Sequence, residues 1–457
     1  MTGTSTGDLQ VCLEEMSNRH RVPGASLAVL CDDQILTAAC GVVNVETGVQ
    51  TTTDTVFQIG SITKVLTTTL VLQLVDEKRL ELDSKVASVL SDFALADPQA
   101  SDEITLRHLL NHTSGIDGDH FFDAGRNDDA VATYVRTCRE VGLVHPVGAT
   151  MSYCNSGFVI AGRVVEELTG LPWREALRTR LLEPVGMQHT TTSAEEALRF
   201  RVAYGHEVDQ SGRPTLVSQW QMPASLAPAG TTLCATATDL VAFAKMHLDS
   251  GRSHDGTQVL SASAVAAMQQ PEVRVPEGPT FGSAWGLGWS LYDWGGRRLL
   301  GHDGSTLGQA SYLRVVPDAR VAVALLTNGG HTDDLYRELF GTLLRELCGL
   351  AMPPASEPSD PPATVDPAPY AGTYECNGRR IELTAQDGRL AGRIIATGAI
   401  AEAMGELVEE VSLTPVNDSV FATRPAGVAT WVPMVFFTLP DGSKYLHFGL
   451  RAMPKRG

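Results

Sequence analysis

The chain has no run of basic residues and no long uncharged apolar stretch. Lys and Arg number 35 against 53 Asp and Glu, for a net charge of -18. That balance argues against nucleic acid and anionic membrane as partners. Without a long apolar run, no helix can cross a bilayer. The opening residues, Met1-Thr2-Gly3-Thr4-Ser5-Thr6-Gly7-Asp8, lack the basic and apolar regions of a secretory signal, so the expected location is the cytoplasm. None of the eight cysteines (Cys12, Cys31, Cys40, Cys138, Cys154, Cys234, Cys348, Cys376) stands in C-x-x-C spacing. Free thiols fit this pattern better than a disulfide frame or a zinc site. His112, His120, His145 and His206 lack metal-ligand spacing and read as structural or surface residues. There is no internal repeat.

What is present is ordinary for a soluble globular protein: 43% hydrophobic and 19% charged residues. A length of 457 residues predicts two or three domains. Periodicity predicts a helix over Asp8 to His20, a hairpin of strands at 25–31 and 34–41, and an apolar helix from Val65 to Val75. From Leu80 to about Leu233 the pattern is mainly helical, with helices at 105–110, 130–141, 157–169 and 174–182. The Gly- and Asp-rich loop from Gly118 to Asp129 either borders a cleft or lies on the surface. A helix at 238–249 precedes strands at 285–292, 297–301, 311–316 and 321–327, an antiparallel meander closed by a helix over Asp334 to Leu347. Residues 351–369 are rich in Pro, Ser and Asp and read as a linker. Short strands with turns at Asp387-Gly388 and Asp441-Gly442 predict a small all-β barrel or sandwich over 370–457.

Three short elements carry chemistry. The first is Ser61-Ile62-Thr63-Lys64, an S-x-x-K at the start of the apolar helix. Positions i and i+3 share a helix face, so hydroxyl and amine lie side by side. Unpaired N–H groups and a positive dipole end are there too. A serine so placed is a candidate nucleophile, and a desolvated lysine a candidate proton acceptor. The second is Tyr153-Cys154-Asn155, a phenol able to carry a proton and an amide able to hold a carbonyl or the lysine. The third is His302-Asp303-Gly304-Ser305 at the end of the 297–301 strand. Its glycine permits close backbone approach, and the N–H of Ser305 can complete an oxyanion hole with that of Ser61. Taken singly, each element also fits a bland reading: a capping serine, a half-buried tyrosine, a strand-ending turn.

In the order S-x-x-K, Y-x-N, H-x-G the chain resembles the penicillin-recognising serine enzymes, on their class C β-lactamase side. Phe57-Gln58-Ile59-Gly60-Ser61, Leu109-Leu110-Asn111-His112-Thr113-Ser114-Gly115, Tyr153-Cys154-Asn155-Ser156-Gly157 and Gly286-Leu287-Gly288-Trp289 carry the resemblance over roughly residues 8 to 350. It implies an α+β fold over residues 1–350: an antiparallel sheet flanked by helices, with an all-helical subdomain. A lipocalin-like barrel over 370–457 follows. It also implies acyl transfer through an acyl-Ser61 intermediate, Lys64 and Tyr153 sharing proton removal. Asn155 then orients substrate or Lys64, His302 polarises Tyr153 or holds substrate, and Asp303 and Gly304 border the substrate. No metal or organic cofactor is implied. In place of the lysine of a K-T-G element stands His302, mostly neutral at pH 7, so β-lactams are expected to be poor substrates.

The layout is similar to that of penicillin-binding-protein-type thioesterases, which release non-ribosomal peptides by head-to-tail cyclisation. The expected partner is then a peptidyl acyl donor: a carrier-bound or small thioester, or an ester or peptide. A carrier domain of a peptide synthetase is a further expected partner. The alternatives are a cytosolic D-stereospecific aminopeptidase, amidase or esterase and, more distantly, an inactive binding or sensor module. Near the end, Arg451 follows the strand Tyr445–Leu450 and precedes a short basic tail. Its planar fork suits a carboxylate or backbone carbonyls, and a barrel packed over the cleft would aim it at the acyl peptide.

Overall fold

The structure, a computed structural model, describes residues 5–209, 212–278, 281–354, 356–398, 401, 407–424 and 430–456. Met1 to Thr4, part of the segment read for a secretory signal, and Gly457 lie outside the described residues.

Helix α1 (Thr6–Arg19) begins on a capping box in which Ser5 and Asp8 satisfy each other's backbone. Strands β1 (Gly24–Cys31) and β2 (Gln34–Gly41) then turn over Asp32 and Asp33, both at positive φ, the two-residue turn that matches strand twist. Helix α2 (Thr63–Asp76) is buried from Thr63 through Leu74, which is why it is apolar all round rather than amphipathic. Helix α4 (Asn155–Thr169) packs beside it, α3 (Ala130–Thr137) packs on α4, and α5 (Ala237–Leu248) leads back to the sheet.

The meander is β3 (Val273–Arg274), β4 (Ala284–Trp285), β5 (Ser290–Trp294), β6 (Arg297–Thr306), β7 (Gln309–Val316) and β8 (Val321–Thr327). Helix α6 (Thr332–Cys348) closes it. The sheet runs β2-β1-β8-β7-β6-β5-β4-β3, antiparallel throughout, with Ala25 opposite Thr327. One face packs under α1 and α6 through Leu9, Leu13, Leu339 and Phe340. The other packs on the helical region through Ala28, Leu300, Leu313 and Ala324. The expected class C β-lactamase-like α+β arrangement is therefore present.

Two expectations about strands are corrected. The strand expected over 285–292 is two, because Gly286 to Trp289 form a turn with Gly288 at φ 76°. The H-x-G element is not at a strand end. Ladder pairing with β7 continues from His302↔Leu313 through Thr306↔Gln309, so His302 to Ser305 stand inside β6. The turn falls two residues further on, at Leu307-Gly308.

Residues 352–367 form no helix or strand where described. Strands β9 (Gly372–Cys376), β10 (Arg379–Gln386), β11 (Arg389–Ala396), β12 (Val408–Pro415), β13 (Val420–Thr423), β14 (Val432–Thr438), β15 (Lys444–Phe448) and β16 (Arg451–Arg456) make a closed barrel. The expected basic tail is in fact β16. Ala452 and Met453 are buried, and Thr373 and Tyr374 pair with Arg456 and Lys455 to shut the barrel.

The barrel docks on the sheet-and-helix unit through its β15–β16 turn, Gly449-Leu450, both at positive φ. The Leu450 carbonyl accepts the Tyr153 N–H at 2.7 Å, and the Ala452 N–H donates to Ser152 Oγ at 3.1 Å. The buried His447 Nδ1 stands 2.8 Å from Glu277 Oε1, and its Nε2 3.1 Å from the Met151 carbonyl.

Candidate active site

Ser61 sits in a 3-10 turn, Gly60–Ile62, that runs directly into α2. The turn is wedged between two backbones. A Cβ on Gly60, whose φ is 51°, would stand 2.6 Å from the Ser305 nitrogen. One on Gly304 would stand 1.9 Å from the Ile59 carbonyl, and one on Gly230 2.9 Å from the Ser61 nitrogen. Only glycine allows these approaches. They set the Ser305 nitrogen against Gly60, next in the chain to the Ser61 nitrogen, so two backbone donors stand close together, the number an oxyanion hole uses.

Lys64 is fully buried, and its Nζ touches three oxygens: Ser61 Oγ at 2.9 Å, Asn155 Oδ1 at 2.7 Å and the Ala229 carbonyl at 2.6 Å. The amide and carbonyl oxygens can only accept. A neutral amine has two N–H bonds, which those two oxygens consume. Its lone pair then faces the Ser61 hydroxyl, the geometry of a proton acceptor. Burial, reinforced by the charge of Arg451, holds the Lys64 ammonium well below the ordinary lysine range.

Tyr153 stands just ahead of α4, whose N-cap is Cys154. Its ring stacks on His112 at 4.3 Å between centroids and meets the edge of Trp285 at 5.8 Å. Burial pushes its phenol up, against a hydrogen bond with Ser61 that favours the phenolate. Lys64 Nζ and Arg451 Cζ each lie 4.8 Å from its ring centroid. His112 accepts the Cys154 N–H on Nδ1 at 3.0 Å, and burial keeps it neutral, so it serves as a platform. His206 is structural too, its Nδ1 2.7 Å from the Asn328 carbonyl.

Asn155 joins the lysine to a second group. Its Nδ2 donates to Asp119 Oδ1 at 2.8 Å, and Asp119 receives Arg451 Nε at 2.9 Å and Nη2 at 3.0 Å. Burial opposes the Asp119 charge, but the Arg451 guanidinium outweighs it and holds the carboxyl below its usual value. Asp119 was not singled out from sequence. Its loop is Gly- and Asp-rich and suits a cleft border, but nothing in Gly118–Asp129 distinguishes one aspartate from the others.

On the β6 side, His302 is buried with its ring edge-on to Trp285 at 5.4 Å, and its Nδ1 donates to the Asp303 carbonyl at 2.7 Å. Burial and the neighbouring Lys64 push it down to about 3, so it is neutral at working pH. It stands behind Tyr153 rather than in the cleft. Asp303 takes two N–H groups from the fully buried Arg314. Ser61, Tyr153, Asn155, Asp303, Gly304, Ser305 and Arg451 all line one cleft of about 410 Å³, with Phe121, Met222 and Phe281 as apolar wall. The structure thus brings together every residue expected at the site, with His302 one layer back.

This fold and this constellation define a serine acyl-transfer class, and the chain belongs to the Beta-lactamase family, whose model matches residues 9–344. It is 48% identical over 367 residues to "Penicillin-binding protein 4" of Amycolatopsis lactamdurans, covering 80% of this chain and 96% of that one. Its structure is similar to that of SurE, with a TM-score of 0.76, 29% identity and 99% of each chain covered. A D-stereospecific amidohydrolase from Streptomyces sp. matches with a TM-score of 0.59 and 25% identity over 76% of this chain and all of that one (100%). The protein is a serine hydrolase or acyltransferase of this family.

Proposed function

We propose that Ser61 is the nucleophile of a peptide-releasing acyl transfer. The observation that carries this is the three-oxygen shell of Lys64, which leaves its lone pair for the Ser61 hydroxyl. Ser61 Oγ attacks the acyl carbonyl, and its proton passes to Lys64, with Tyr153 next to both. The N–H groups of Ser61 and Ser305 hold the oxyanion, and removing such a donor typically costs a factor of about 10²–10³ in rate. The leaving group takes a proton as the acyl-Ser61 ester forms. The peptide's own amine then attacks that ester, the bond from the acyl carbon to Ser61 Oγ breaks, the amine proton passes through Lys64 to Ser61 Oγ, and a macrocycle is released.

Cyclisation rather than hydrolysis is favoured by Arg451, which the barrel delivers into the cleft wall beside Tyr153. A barrel in that place shields the acyl ester from water and folds a chain back on itself. The acyl donor is a peptidyl thioester, carrier-bound or small. The second reading is hydrolysis of D-amino-acid amides, peptides or esters, and the D-stereospecific amidohydrolase among the structural neighbours favours it. An inactive binding module is the third, and it is countered by the assembled Ser61–Lys64 contact.

A synthetic peptidyl thioester separates the three. Mass spectrometry of the intact protein should show a peptidyl adduct on the native chain and none on Ser61→Ala. Chromatography should show cyclic product. Linear product alone supports the hydrolase, and an adduct that persists on Ser61→Ala removes the assignment.

A further inference from the structure

Arg379 opens β10, two residues after Asn377, whose N–H is held by both Asp117 carboxylate oxygens at 2.8 and 3.0 Å. Its side chain is half-buried at the junction of barrel and catalytic unit. Among the described residues its guanidinium meets no hydrogen-bond acceptor and no carboxylate, and lies over the Phe448 ring at 5.1 Å from the centroid. The carboxylates around it are all engaged elsewhere. Glu375 pairs with Arg380, Glu277 with His447, and Asp119 with Arg451. Arg451 pairs with Asp119, whereas Arg379 makes no ion pair among the described residues.

The two arginines flank one residue. The Gly449 carbonyl accepts Arg451 Nη1 at 2.9 Å, and a Cβ on Gly449 would stand 3.1 Å from Arg379 Nη1. Arg451 lines the cleft that holds Ser61. Burial and the charge of Arg451 lower the Arg379 pKa, a destabilised cation that an incoming anion would relieve. A guanidinium presents a planar fork of five N–H donors matched to carboxylate geometry, and none of those of Arg379 meets an acceptor among the described residues.

We infer that Arg379 and Arg451 form an anion subsite at the barrel end of the cleft, and that it takes a carboxylate of the substrate. This rests on the acyl-transfer reading above and extends it to substrate choice. The carboxylate has two possible sources: an acidic side chain of the acyl peptide, or a terminal carboxylate on the leaving thiol.

Two matched pairs of peptidyl thioesters test it. The first pair differs by Glu against Gln in the peptide; the second by thioglycolate against thioglycolamide as leaving group. The native chain should prefer the carboxylate member of one pair by about tenfold or more in kcat/KM, as for a hydrogen bond to a charged group. Whichever pair responds identifies the source. Arg379→Gln should bring that ratio close to unity, and Arg379→Lys should restore part of it. No preference in either pair, or one that survives Arg379→Gln, overturns the subsite. Mass spectrometry of the Ser61 adduct from the neutral thioesters reports on acyl transfer separately. Should no thioester acylate Ser61, calorimetric titration of Ser61→Ala with the free Glu and Gln peptides and with thioglycolate and thioglycolamide applies the same criterion to binding alone.

Discussion

Arg451 and Asp119 form a two-point ion pair, at 2.9 and 3.0 Å, between the last strand of the barrel and the loop that borders the cleft. The same carboxylate oxygen that receives Arg451 Nη2 also receives Asn155 Nδ2, and Asn155 Oδ1 receives Lys64 Nζ. Three consecutive contacts thus connect the barrel to the amine beside Ser61. Half-buried and bidentate, the pair has the geometry in which Arg–carboxylate contacts are strongest.

Lys64 and Tyr153 should behave as one proton-transfer unit. Both border the Ser61 hydroxyl, one through a direct contact and one through its phenol. Lys64→Ala and Tyr153→Phe should each lower kcat by on the order of 10³ or more, with the double variant little worse than either, because groups acting as a unit are non-additive. A double-mutant cycle on a peptidyl thioester measures this. Losses that simply multiply would assign the two residues independent tasks.

The burial of Lys64 has a consequence for stability. Its folded pKa is depressed, whereas an unfolded lysine titrates near 10.4. Between those two values the unfolded chain binds more protons, so stability rises with pH. Lys64→Met removes this dependence. Any stability advantage of Lys64→Met over the native chain should shrink as pH rises from about 7 to about 10. Urea unfolding at several pH values checks it, and a difference that grows with pH would mean the amine is not desolvated.

The Ser61 and Tyr153 elements are local motifs, with spacing set by one helix turn or one loop, and so they were legible as sequence. Asp119 was not, because its role is defined by Asn155 and Arg451, 36 and 332 residues away. The strand position of His302 was misread for a similar reason. Gly304 in the His302–Ser305 element fits a strand-ending turn, but pairing with β7 carries the strand through it. The last strand is not legible because β16 is short, carries a proline and three basic residues, and becomes a strand only by closing on β9.

β-Lactams should be turned over slowly. Where a K-T-G element places a permanent cation, His302 is neutral, pushed down to about 3, and buried behind Tyr153. Spectrophotometric assay with benzylpenicillin and a cephalosporin should give kcat/KM well below that of a peptidyl thioester. Comparable turnover would show that another group supplies the charge.

His447 and Glu277 should carry much of the docking of the barrel. Both are fully buried, and His447 Nε2 faces the Met151 carbonyl while Glu277 Oε1 also accepts the Leu450 N–H at 2.9 Å. His447→Ala leaves a carboxyl group buried without its partner. Removing one member of a buried pair costs about 3–5 kcal/mol, and urea unfolding should show a loss in that range. A loss below about 1 kcal/mol would place the docking energy in the apolar contacts instead.

Arg451 is where the barrel acts on the reaction itself. Its Nε and Nη2 bind Asp119 and its Nη1 binds the Gly449 carbonyl, so two of its N–H bonds are left toward the cleft. A folded-back peptide presents carbonyl oxygens that those bonds can hold, while water needs no such guide. Arg451→Ala should therefore move the product ratio from cyclic towards linear peptide. Formation of the Ser61 adduct should fall less, because Asn155 keeps its bond to Lys64. Arg451→Lys separates charge from shape: the ammonium can still neutralise Asp119 but lacks the fork, so linear product should again increase while the adduct forms at nearly the native rate. Stopped-flow acylation and chromatography of both products, run on the same peptidyl thioester, give the two numbers. A cyclic-to-linear ratio unchanged in both variants would confine Arg451 to holding Asp119, and the barrel's part in the chemistry would be the placement of Tyr153 through the Leu450 carbonyl.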